Sequence, residues 1–107
     1  MKNINYSYLH CSSEDFKNEI SFDEKLFDER LNEAFDLNIQ IDRIEVTFTS
    51  EKSHETGKFC VSIDVVSPEV SIDVKEEGQD KAGTTRAAID KTLELLRKHK
   101  AKSQNHH

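Results

Sequence analysis

Thr84–Lys102, TTRAAIDKTLELLRKHKAK, is the stretch whose reading decides the fold. Ile89, Leu93 and Leu96 recur at intervals of four and three, which is one face of a helix. Ala88, Thr92 and Leu95 widen that stripe. Arg86, Lys91, Arg97, Lys98 and Lys102 fall on the opposite side. A helix of this kind buries one face and presents cations on the other. It needs an apolar surface to lie on, and the preceding residues read as strands that supply one.

Upstream, Val70, Ile72 and Val74 alternate with Ser71, Asp73 and Lys75, the period of a half-buried strand. Glu76–Gly83 reads as a polar loop, with Thr84 or Thr85 capping the helix. Ser67-Pro68-Glu69 is a tight turn, because proline fixes φ and cannot continue a ladder. Phe59–Val66 places Phe59, Val61, Ile63 and Val65 on one face. Residues 51–58 form a hairpin loop, and Ile41–Ser50 turns Ile44, Val46 and Phe48 inward. An opening strand, Asn3–His10, sets Ile4, Tyr6 and Tyr8 against Asn5 and Ser7.

Between the first two strands lies a helix. Ser12 and Ser21 are each followed three residues later by an acid, Asp15 and Glu24, so it can begin at either serine. Phe16, Ile20, Phe27, Leu31 and Phe35 share its inner face, bordered by Leu26 and Ala34. Its outer side is acidic. The order β-α-β-β-β-α predicts an α+β domain: a four-stranded mixed sheet with two helices packed on one face. Residues 1–100 form the single domain. Residues 101–107 are a frayed tail, in which His106 and His107 read as the remnant of a tag.

The 107 residues carry a net charge of −6, unevenly spread. Residues 1–80 hold 8 Lys/Arg against 19 Asp/Glu, and residues 81–107 hold 7 against 2, so the two parts carry −11 and +5. A basic terminal element on an acidic body suggests a partner of its own, and the competing reading is a solvated helix face beside an acidic body, which charge alone favours. The cations able to meet phosphate are Lys81, Arg86, Lys91, Arg97, Lys98, Lys100 and Lys102. Two helical pairs, Arg86–Asp90 and Glu94–Lys98, are expected to temper that field. The open face of the sheet, with Asp42 or Arg43, Glu45, Thr47, Ser62, Asp64, Ser71 and Asp73, offers no aromatic platform for stacked bases.

Catalytic patterns are missing. The three glycines stand alone, so there is no phosphate loop or dinucleotide fingerprint. Cys11 and Cys60 lack metal or redox spacing, and His10 and Cys11, as strand neighbours, point to opposite faces. Ser53-His54 has no third partner, and the carboxylates are spaced like a solvated surface. Neither enzymatic activity, nor a cofactor, nor a metal is expected. Without an apolar signal core or a membrane-length apolar run, the protein is expected in the cytoplasm.

Arg86-Ala87-Ala88-Ile89-Asp90, the basic close Arg97-Lys98-His99-Lys100, and the strand pair FCVSIDVV and EVSIDVKEE resemble the ribosome hibernation-promoting factor and ribosome-associated inhibitor family. These are also called sigma-factor modulation proteins, and this chain looks like a short form. The resemblance implies the same β-α-β-β-β-α fold. It also implies binding, without catalysis, to the small ribosomal subunit in the channel used by mRNA and tRNA, which idles ribosomes under stress. The implied partner is rRNA; the charge split, apart from the resemblance, suggests that the acidic body faces basic ribosomal proteins. The chain departs from the family pattern in three places. Thr84 and Arg86 stand where an aspartate and a tyrosine are usual, Leu95 replaces a lysine, and the first helix is acidic rather than basic. Two other readings compete. One is a double-stranded RNA-binding domain, which shares the meander and terminal helix. The other is a protein-binding adaptor that kept the fold and lost RNA.

Overall fold

A computed structural model describes residues 3–9, 24–50 and 59–104. The serine caps, Phe16, Ile20, the His10–Cys11 pair, the 51–58 loop and the last three residues lie outside them. The described elements are β1 (Ile4–Leu9), α1 (Glu24–Asn32), a 3₁₀ turn (Glu33–Asp36), β2 (Arg43–Ser50), β3 (Phe59–Val66), β4 (Ser71–Gly78) and α2 (Lys81–Gln104).

The four strands lie in the order β1-β2-β3-β4. β1 pairs parallel with β2, and β2, β3 and β4 form an antiparallel meander. The arrangement follows from the connections: the long first one carries α1, as a parallel pair requires, whereas the later strands are joined by short links. Between β3 and β4 the turn is pinned by Ser67. Its hydroxyl donates to the Gln40 carbonyl at 2.5 Å and accepts from the Glu69 N–H at 3.1 Å.

Alternation along the strands builds the core. Ile44, Val65 and Ile72 form one cross-strand row, and Val46, Ile63 and Val74 the next. All six are buried. Phe48 continues this face, stacked on Tyr8 at 5.3 Å and on Phe59 at 5.9 Å between ring centroids. Over these rows α2 lays Ala88, Ile89, Leu93 and Leu96, packing on β3 and β4. Leu93 and Leu96 are fully buried, and each such side chain contributes about 1.5–3 kcal/mol of transfer free energy. α1 lies beside α2 and joins the same core through Phe27 and Leu31.

Several boundaries differ from the sequence reading. β4 does not end at Lys75: Glu76, Glu77 and Gly78 pair with Val61, Cys60 and Phe59. The polar loop thus shrinks to Gln79 and Asp80, and α2 starts at Lys81 rather than near Thr84. Its cap is Asp80, whose carboxylate accepts from the Gly83 N–H at 3.2 Å and whose carbonyl accepts from the Thr84 N–H at 2.9 Å. Thr84 and Thr85 are buried instead, and a Cβ at Gly78 would collide with the Thr84 hydroxyl. Charge masked this ending, since polar residues on an edge strand look like a loop. α2 also runs on to Gln104, past the fraying expected at Ala101. In the first helix, α geometry gives way to a 3₁₀ turn after Asn32, within which Ala34 is fully buried, whereas Leu26, in α1 itself, is exposed. Asn38, at φ 60°, then takes a left-handed conformation that asparagine tolerates better than most residues.

Candidate nucleic-acid interface

The helix geometry sorts the cations of α2 into two flanks. At 3.6 residues per turn, Arg86, Arg97 and Lys100 lie on the side toward α1 and the 3₁₀ turn, whereas Lys91, Lys98 and Lys102 lie within roughly 40° of one another on the far side. Lys81 is the first helical residue and is half-buried. The single cationic face expected from the sequence is therefore two faces separated by the helix crest.

The inner flank is largely engaged. Arg97 Nη2 lies 3.4 Å from Glu33 Oε1, and Lys100 Nζ donates to the Asn38 carbonyl at 3.4 Å. The expected Arg86–Asp90 pair does not form, because Asp90 instead accepts from Arg30 Nη2 of α1 at 2.6 Å. Arg86 is exposed and, among the described residues, has no ion pair. It borders a shallow groove of about 130 Å³ shared with Leu26, Phe27, Arg30, Ile89 and Asp90. At the end of the helix, His99 Nε2 stands 3.3 Å from Glu69 in the β3–β4 turn. Arg30, Glu33 and Glu69 are neighbours of this helix that local spacing could not find, since each partner is 30 or more residues away. Charge composition was the only signal, as an acidic first helix beside a basic last one attracts it.

The outer flank is open. Glu94 sits among its lysines, 3.2 Å from Lys98 Nζ and 3.8 Å from Lys91 Nζ. The hydrogen bond from Lys98 and the fields of both lysines hold its carboxyl below the ordinary glutamate value. The expected Glu94–Lys98 pair is thus present. Lys102 is exposed and has no ion pair among the described residues. Exposed pairs of this kind are weak, so an incoming phosphate can displace Glu94. The flank presents three cations and one carboxylate over about 16 Å of helix.

The opposite face of the sheet has the reverse character. Asn5, Glu45, Asp64 and Asp73 stand in one cross-strand row. Arg43 holds Glu45 at 3.0 Å. Burial, then the hydrogen bond and charge of Asp73, then the charge of Glu45, push the Asp64 carboxyl up to about 6. A row of carboxylates repels phosphate. Among the described residues no three His, Cys, Asp or Glu side chains are placed to share a metal ion, and no helix is long and apolar enough to cross a membrane.

No protein-family model matches the chain, and no curated protein matches it in sequence. Its fold does match solved structures over nearly its whole length. One is a ribosomal subunit interface protein from Coxiella burnetii, with TM-score 0.61 and 20% identity, covering 92% of this chain and 98% of that one. Another is the N-terminal domain of Thermus thermophilus Protein Y, with TM-score 0.59 and 14% identity, covering 94% and 98%. At these identities the likeness establishes the fold, the one expected from the resemblance of the closing helix.

Proposed function

We propose that this protein associates with the ribosome, on the small subunit, and holds it idle under stress without chemistry of its own. Lys91, Lys98 and Lys102 are the first contacts to rRNA phosphate, with Lys81, Arg86 and Lys100 as further cations and Arg97 available where Glu33 yields. The observation that carries this reading is a solvent-facing lysine flank on the last helix, in a fold matched over 98% of a ribosomal subunit interface protein. The protein acts in the cytoplasm, where ribosomes are.

Co-sedimentation with purified small subunits at low and at raised salt tests it. Binding at low salt that weakens steeply with salt is expected, because three phosphate contacts give a slope of about −2 to −3 in log K against log salt. Absence of binding at low salt would count against the reading. A second reading, a protein-binding adaptor, is favoured by the Glu45–Asp64–Asp73 row and the acidic α1. It predicts capture of basic proteins with no response to α2 substitutions. The duplex-RNA reading is weaker, since β1, paired parallel with β2, is additional to the meander and helix that it needs.

A further inference from the structure

Four charges run in a chain across the seam of α1, the 3₁₀ turn and α2. Asp90 accepts from Arg30 Nη2 at 2.6 Å, Arg30 Nε lies 3.4 Å from Glu33 Oε2, and Glu33 Oε1 lies 3.4 Å from Arg97 Nη2. Signs alternate along it, and two cations cancel two anions. Arg30 stands inside the chain, its Nε buried, with one acid from the 3₁₀ turn and one from α2. Arg86 stands just outside it. This side chain lines the same groove as Arg30 and Asp90, is exposed, and has no ion pair among the described residues. Spacing alone would give it Asp90, four residues further along α2.

We propose that Arg30 is a positioning residue: by holding Asp90 it leaves Arg86 free for a phosphate on the α1 side of α2. The proposal rests on the reading of α2 as the helix that meets rRNA phosphate. A guanidinium suits the task, because one planar fork can serve two carboxylates at once, whereas a lysine ammonium is a point charge. Linked charges also hold one another where an isolated surface pair does not. Arg86 lies about 140° around α2 from Lys91, so the two cations meet different phosphates. Arg30 itself is committed to two acids and adds no contact of its own. The first helix, acidic as a whole, thus serves phosphate binding through one cation turned on α2.

Co-sedimentation with small subunits, and in parallel filter binding to polyuridylate, tests the assignment over a series of salt concentrations. Arg86→Gln is expected to weaken both several-fold and to make the slope of log affinity against log salt shallower by about 1. Arg30→Gln is expected to match it, although it removes no phosphate contact. Asp90→Asn added to Arg30→Gln is expected to restore the wild-type affinity, because Arg86 then has no carboxylate to turn to. Glu29→Gln added instead restores the same net charge and is expected to restore no affinity, since Glu29 is an exposed acid of α1 outside the chain of four. Arg30 and Asp90 are 40% and 52% exposed, so these substitutions leave the core filled. Unaltered affinity in Arg30→Gln, or equal recovery with Glu29→Gln, would overturn the proposal. So would a failure of Asp90→Asn to restore binding, which would mean that Arg30 meets phosphate itself. A wild type that binds polyuridylate but not small subunits refutes the ribosomal reading alone, and polyuridylate then decides between these outcomes. One that binds neither refutes both.

Discussion

Replacing Asp73 by asparagine is expected to stabilise the protein at neutral pH and leave it unchanged in acid. Asp64 and Asp73 are directly opposed across β3 and β4. Burial first, and Asp73 second, raise the Asp64 carboxyl from 3.8 to about 6. The folded chain therefore holds a proton that the unfolded chain has released between about pH 4 and pH 6. In that window stability falls as pH rises, and the full penalty applies above about pH 6. Two units at 1.36 kcal/mol each set a ceiling of about 3 kcal/mol. Burial persists in the variant and solvent screens the rest, so about 1 kcal/mol is recoverable. An asparagine amide can also donate to the ionised Asp64. For a domain of this size that is roughly 4 °C in melting temperature. Melts followed by circular dichroism across this range should converge for the two proteins near pH 4 and separate by that amount near pH 7. Parallel curves, equally spaced at every pH, would refute the argument, because the other carboxylates are common to both proteins.

Three further outcomes follow from the geometry. Thr85→Val is expected to stabilise by about 1 kcal/mol in urea unfolding, since the Thr85 hydroxyl is buried with no hydrogen-bond partner among the described residues; a loss of stability would mean that it has one. Asp80→Ala removes the cap of α2 and should lower stability by about 1 kcal/mol, whereas removing the Thr84 hydroxyl should not act through helix capping. Glu94→Gln takes the carboxylate out of the lysine flank, and small-subunit affinity at low salt is expected to rise several-fold with no change in melting temperature.

The strands and the terminal helix were legible because burial imposes their period. Ile44, Val46 and Phe48, or Ile89, Leu93 and Leu96, alternate or recur as their faces demand. The end of β4 was not legible, because Glu76 and Glu77 are paired by backbone bonds that ignore side-chain polarity. The cap was misread for a related reason: Thr84 and Thr85 have the side chains of caps, but Asp80 stands where the helix begins. The cations were legible as a set and their division into flanks follows from helix spacing, while which flank is engaged depended on α1 and the 3₁₀ turn. Only the folded chain brings Arg30 to Asp90 and Glu33 to Arg97.

Charge reversal on the outer flank probes the central claim most directly. Lys91→Glu, Lys98→Glu and Lys102→Glu, made together, should abolish co-sedimentation with small subunits at low salt while the melting temperature holds, because all three side chains are exposed. Binding undiminished in a folded triple variant would contradict the claim and move the contact elsewhere.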